Sequence, residues 1–280
     1  MFTLDQVVPW GRSFDEYRRM FSLTQADLDG RIVGCGDGPA SFNAEATHRG
    51  CRVTSLDPLY KLKKSDVQDR IAATYDEMLE QARRNAEEFV WDSIQSVEDL
   101  GQLRLKAMHD FLEDYEQGLS DGRYVNAALP TVPFADGAFD LALCSHFLFL
   151  YSSQLGQAFH KSGLREMCRV ATEVRVFPLL ALGGKRSPFV DQCAEDLRRS
   201  GFDVTIETVP YDFQCGVIRC CASEPLKRMV NKAVQADRLC RQLHAHSSGR
   251  AGRTGRKEQH RHGDLGTGGR SGDHTLNEGR

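Results

Sequence analysis

Three glycines at alternate positions, Gly34, Gly36 and Gly38, follow a short apolar run that begins at Ile32, and an acid, Asp57, closes the next apolar run. Glycine permits positive φ and lets backbone approach a ligand with no Cβ in the way. An acid at the C-terminal end of a second parallel strand stands where α/β sheets place their ligands and can accept hydrogen bonds from both hydroxyls of a ribose. The dinucleotide fingerprint G-x-G-x-x-G fails at a specific residue in either frame: Pro39 or Ser41 occupies the third glycine position. A phosphate-binding P-loop needs Gly-Lys-Ser/Thr, and here Gly38 is followed by Pro39-Ala40. A glycine loop with a ribose acid and no phosphate chemistry suggests an adenosine ligand such as S-adenosyl-L-methionine.

A second constellation lies further on. The loop "LPTVPFADGAF" leads into an apolar strand that ends in Cys144, Ser145 and His146. His146 has two readings of equal weight, a general base at an acceptor pocket or a satisfied histidine in the pocket wall. Methyl transfer needs little acid–base machinery, because the protein chiefly aligns nucleophile, methyl and sulfur. Only an acceptor of high pKa needs a base.

Together "GCGDGP", "SLDP" and "LPTVPFADGAFDLALCSHFL" resemble the class I SAM-dependent methyltransferases, and the last motif resembles the methyltransferase type 11 pattern. The likeness covers about Gly11 to Cys220 and is nearest to a bacterial subgroup of unassigned substrate. It implies an α/β fold: a Rossmann-like, mostly parallel seven-stranded sheet with helices on both faces. It implies S-adenosyl-L-methionine as cofactor, with contacts from Gly34, Cys35, Gly36, Gly38, Asp57, Leu129, Cys144 and Ser145, and His146 as the candidate catalytic residue. The chain departs from the family at two places. Gly34 stands where the loop usually opens with an acid that orients the methionine part of the cofactor, and Asp37, close by, is expected to face elsewhere. Ala128 stands near the position of an acid that receives the adenine amino group, for which Asn126 or backbone near Leu129 is a substitute. A methyltransferase-like binding or scaffold protein without catalysis is therefore the alternative to an enzyme. A NAD-dependent oxidoreductase shares the fold class but is disfavoured by Pro39.

The elements that must position these residues are legible in outline. Ser13 and Glu16 form a capping-box pair at the start of a short helix over 13–21. A turn at Asp29-Gly30 leads into a strand near 31–34, a helix spans about 40–49, and a second strand runs over 51–56. A long stretch, about 59–123, has the spacing of two amphipathic helices, with capping pairs Ser65/Gln68 and Ser96/Asp99. It reads as an inserted helical hairpin beside or over the sheet edge, whose apolar stripes are first of all core, while its aromatic residues Tyr75, Phe89, Phe111 and Tyr115 are also enough to line a pocket as a lid. Strands over 124–127, 140–145 and 173–180 alternate with helices over about 155–170 and 189–200. Two closing strands, "FDVTIETVPYDF" and "GVIRCCA", turn near 214–216, the second folding back antiparallel on the sheet edge. The methyltransferase-like domain is thus expected over 1–223 and a basic tail, helix then disorder, over 224–280.

Charge and cysteines bound the rest. The net charge of −3 combines an acidic body with a basic segment after Pro225. The acidic body argues against nucleic acid and for a small-molecule substrate. Nine cysteines without CxxC pairs fit reduced thiols better than disulfides or a zinc site. No apolar run is long enough to span a membrane, and no signal peptide opens the chain, so a cytoplasmic location is expected.

Overall fold

The computed structural model describes residues 8–86, 91, 94–209 and 211, and the backbone of 217–222. The expected tail over 224–280, the turn near 214–216 and Phe89 lie outside the described residues. Among those described, no helix is long and apolar enough to cross a membrane.

Seven strands form one sheet in the order β3-β2-β1-β4-β5-β7-β6. They are β1 (Arg31–Cys35), β2 (Arg52–Leu56), β3 (Tyr124–Val125), β4 (Phe139–Ser145), β5 (Ala171–Phe177), β6 (Phe202–Glu207) and β7 (Val217–Ala222). All run parallel except β7, which is antiparallel to both neighbours. The Rossmann-like architecture is as expected, with one correction. β7 does not lie on the edge but fills the slot between β5 and β6, leaving β6 outermost.

The central strands are buried on both faces, so each reads as a continuous apolar run. Side chains still alternate between faces. Ile32, Leu141 and Leu143 pack with Phe14 and Tyr17 of α1 (Phe14–Met20) and Phe42 of α3 (Phe42–His48). Val33, Ala142 and Cys144 point the other way, onto Leu164 and Met167 of α6 (Gln157–Val170) and Leu197 of α7 (Val190–Arg199). The short helix α2 (Gln25–Asp29), capped by Thr24, occupies a stretch that sequence pattern reads only as a turn.

The hairpin is present as α4 (Lys64–Arg84) and α5 (Val97–Ser120). Ser96 caps α5, accepting from the Asp99 N–H at 3.0 Å. Ser65 does not cap α4: the helix begins at Lys64, which puts Ser65 inside the first turn, where its hydroxyl cannot act as an N-cap. A short 3₁₀ turn, Pro58–Lys61, precedes it and is capped by Asp57. The hairpin belongs to the core. Leu79, Ala82, Val97 and Leu100 join the α1 and α3 face, and Phe111 and Tyr115 are fully buried against Tyr60 and Tyr124.

Glu16 does more than close the Ser13 capping box. Its carboxylate, 0% exposed, takes hydrogen bonds from Arg104 of α5 (2.6 Å), the Ser13 N–H (2.9 Å) and the Tyr211 hydroxyl (2.8 Å). One buried acid thus ties α1, α5 and the segment before β7 together.

Candidate functional site

Chain order places a crevice at one end of this sheet. From β1 the chain winds outward to β2 and β3, then returns to β4 on the other side of β1. Loops after β1 and β4 therefore diverge, and such a switch point at the carboxyl ends is where open α/β sheets bind ligands. A cavity of ≈ 280 Å³ lies there. Its walls come from the β1 loop (Cys35–Ala40), the β2 end (Leu56–Leu59), Ala127–Leu129, Ser145–Phe147 after β4, and the segment Val8–Trp10 with Arg12.

Residues at and beyond the end of β2 hold the glycine loop in place. Gly36 and Gly38 have φ of 72° and 53°, the left-handed region that favours glycine. The Gly36 N–H donates to the Leu56 carbonyl at 2.8 Å. Asp57 accepts from the Gly38 N–H (3.0 Å) through Oδ2 and from the Leu59 N–H (2.7 Å) through Oδ1, and the Tyr60 hydroxyl donates to the Gly38 carbonyl at 2.8 Å. Burial pushes the Asp57 carboxyl up, and these two backbone N–H groups pull it back.

Gly34 has no side chain because another residue fills its space. A Cβ built there would stand 1.8 Å from Oδ2 of Asp37. The acid three residues on folds back to where a side chain at position 34 would begin. Its Oδ1 accepts from the Tyr17 hydroxyl at 2.8 Å and its Oδ2 from the Ser55 hydroxyl at 2.6 Å. Burial raises the Asp37 pKa to about 6, although both hydroxyls pull it down. Asp37 lines the cavity, and Gly34 does not. The expectation that Asp37 faces elsewhere is therefore corrected. Gly34→Ala should drive the Asp37 carboxyl off Tyr17 and Ser55 and lower stability by about 1–3 kcal/mol, the usual cost of overpacking. A urea midpoint equal to that of the native chain would show that the space is not contested.

Strand parity sorts the residues after β4. Ser145 shares the α1 face with Leu143 and lines the cavity, whereas Cys144 points into the α6 core, where burial pushes its thiol up to about 12. Cys144, expected at the cofactor, is thus a core residue. His146 lines the cavity with φ of 51°, and its Nδ1 lies 3.0 Å from the Ser145 hydroxyl. Tyr17, also in the cavity wall, gives its own proton to Asp37. Two hydrogen-bonded pairs thus stand at the cavity, His146 with Ser145 and Tyr17 with Asp37.

Leu129 and the neighbouring Ala127 and Ala128 line the cavity, and Asn126 does not. Cys35 lines it while its side chain packs in the α6-side core. Of the described hairpin residues, only Arg70 and the preceding Leu59, Lys61 and Leu62 reach it. Phe111 and Tyr115 do not line it: they are core, as the leading reading of their stripe expects, and the secondary reading of them as a lid is corrected. Tyr75 packs on Trp10, with ring centroids 5.8 Å apart, and Trp10 forms part of the wall. Sequence reasoning passes over Tyr17, Trp10 and Arg12. Tyr17 carries the apolar spacing of a core residue, and nothing local reveals that its hydroxyl meets Asp37.

No family model matches the chain. An uncharacterized protein of Methanocaldococcus jannaschii is 32% identical over 214 residues, which cover 76% of this chain and 94% of that protein. Among solved structures, a magnesium protoporphyrin IX methyltransferase from Synechocystis PCC 6803 with bound SAH is 11% identical, covering 75% of this chain and 94% of that one, with a TM-score of 0.40. A mitomycin 7-O-methyltransferase is 16% identical, covering 75% of this chain and 54% of that one, with a TM-score of 0.42.

Proposed function

The chain belongs to the same family as the Methanocaldococcus jannaschii protein, and from its cavity we propose that it is a SAM-dependent methyltransferase acting on a small-molecule acceptor. The observation that carries this reading is the meeting of the glycine loop with Asp57 at the switch point, both carboxylate oxygens being aligned by backbone N–H groups.

Asp57 would accept the ribose hydroxyls through its remaining lone pairs. Ala127–Leu129 would lie against the adenine. Asp37 would receive the ammonium of the methionine part, the task that an acid at position 34 performs in the family the sequence resembles. When bound, S-adenosyl-L-methionine supplies an electrophilic methyl on a sulfonium. A general-base role for His146 requires the tautomer in which its Nδ1–H donates to the Ser145 hydroxyl. The ring lone pair is then on Nε2. A hydroxyl or amine acceptor can give its proton to Nε2, and the Ser145 oxygen then holds the imidazolium through Nδ1–H.

Isothermal titration with S-adenosylhomocysteine and with NAD tests the reading. S-adenosylhomocysteine is expected to bind and NAD is not; the reverse result overturns it. Asp57→Asn places an amide nitrogen opposite one of the two backbone N–H groups and weakens a ribose contact. S-adenosylhomocysteine should then bind about tenfold more weakly, the equivalent of ~1.5 kcal/mol. Unchanged affinity in the folded variant removes Asp57 from the ribose site.

A further inference from the structure

The wall of the cavity nearest α1 holds a positive charge that no described carboxylate neutralises. Arg12 lines the cavity. Its guanidinium donates to the Trp10 carbonyl, and its Nε is buried with no hydrogen-bond partner. The nearby carboxylate, Glu16, is taken: Arg104, the Ser13 N–H, the Ser13 hydroxyl and the Tyr211 hydroxyl already occupy it. Arg104 itself leaves Nε and Nη2 without partners. A part-buried guanidinium and a fully buried one therefore share one acid, and one positive charge is in excess. Burial and the Arg104 charge together push Arg12 down to about 10, while Tyr211, Glu16 and Tyr151 act in the opposite direction. A cation withdrawn from water without a counter-charge is costly, and a partner that arrives with a ligand removes the cost.

We infer that Arg12 is a binding site for a carboxylate carried by the ligand of this cavity. The chemistry is specific to a monoanion. One excess charge calls for one carboxylate, and the acids Asp37 and Asp57 on the same cavity repel a dianion such as phosphate. Arginine binds carboxylates through paired N–H groups, and of the Arg12 fork Nη1 is committed to the Trp10 carbonyl while Nη2 is not among the buried atoms. Arg12 and Asp37 line one cavity, so the two together suit a ligand bearing carboxylate and ammonium. The inference rests on the proposal that the cavity binds S-adenosyl-L-methionine and its acceptor. The carboxylate belongs either to the methionine part of the cofactor or to an acidic acceptor.

Titration calorimetry of the full chain separates these sources. S-adenosylhomocysteine and its decarboxylated analogue are titrated into the native chain and into Arg12→Gln. If the cofactor supplies the carboxylate, the native chain binds the decarboxylated analogue about 10- to 100-fold more weakly, and Arg12→Gln binds both with equal, low affinity. If the acceptor supplies it, both chains bind the two nucleosides alike, and benzoate binds the S-adenosylhomocysteine complex of the native chain but not that of Arg12→Gln. Equal behaviour of the two chains toward both nucleosides and benzoate overturns the inference. Arg12→Lys, which keeps the charge and loses the planar fork, serves the same comparison with a smaller loss if the glutamine variant does not fold. Failure of S-adenosylhomocysteine to bind the native chain overturns the methyltransferase reading instead, and benzoate binding to the free native chain and to Arg12→Gln then decides the role of Arg12.

Discussion

Glu16→Gln is expected to lower the stability of the chain by about 3–5 kcal/mol, the cost of removing one partner from a buried ion pair. The amide is nearly the same size, but its one oxygen can replace only Oε2, which accepts from Ser13, or Oε1, which accepts from Tyr211; the larger loss is electrostatic. What it loses is the charge, and with it the counter-ion of Arg104, which is 0% exposed. The charges of Arg104 and the part-buried Arg12, which already oppose each other, would then lack that acid. Burial alone would raise the Glu16 pKa, but the charge and hydrogen bond of Arg104 outweigh it and hold the carboxyl below its usual range. The native chain therefore gains stability from this pair above the unfolded pKa and loses it as pH falls through the folded one. An exposed pair gives the contrast. Arg199 and Glu195 are both 64% exposed, and Glu195→Gln should cost no more than about 0.5 kcal/mol. Equal urea midpoints for the two variants would show that the Glu16 pair is not a structural tie.

How much of this is legible in the sequence depends on whether the determinant is local. β1 and β4 can be read because strands buried on both faces are continuous apolar runs, and the hairpin because α4 and α5 carry long apolar stripes. The glycine loop and Asp57 are legible because loop and acid each sit at the end of a readable strand. The position of β7 is not, since the slot between β5 and β6 is settled by pairing across the sheet rather than by its own residues. The hairpin aromatics illustrate the same limit. Spacing shows that Phe111 and Tyr115 share a face, but only the fold shows that this face meets Tyr60 and Tyr124.

At the site, parity and close approach decide what proximity in sequence cannot. Cys144 and Ser145 are neighbours at the end of β4, yet alternation sends one into the core and the other to the cavity. Gly34 reads in sequence as a lost acid. In the fold its side-chain space is filled from Asp37, because a loop turning through Gly36 returns the next side chain to the α1 face of β1. A missing Cβ is a negative signal, and only the packing around it says what uses the space.

Asp37→Asn should therefore do two opposite things. In the native chain the Asp37 pKa is raised from 3.8 to about 6 by burial, so the folded state holds the proton more tightly than the unfolded one. Stability from this group is fully present below the unfolded pKa and is lost as pH rises through the folded one, between about pH 4 and pH 6. The difference corresponds to roughly 3 kcal/mol at pH 7, at 1.36 kcal/mol per unit. Asparagine is neutral at every pH and can keep the Tyr17 hydrogen bond, so the variant should be more stable at pH 7 by up to about 3 kcal/mol and lack that part of the pH dependence. Urea midpoints at pH 4 and pH 7 measure it as the difference between the two chains, which cancels the contributions of Asp57 and Glu16. Binding should move the other way. Without the carboxylate the cavity loses its partner for an ammonium group, and S-adenosylhomocysteine should bind about 100-fold more weakly, at the upper end of what a charged hydrogen bond contributes. A buried acid kept for structure would lower stability when replaced and leave affinity alone. A gain in stability joined to a loss of binding is the signature of a charge held in the cavity for its ligand. A variant that binds S-adenosylhomocysteine as the native chain does would remove Asp37 from the site, whatever its effect on stability.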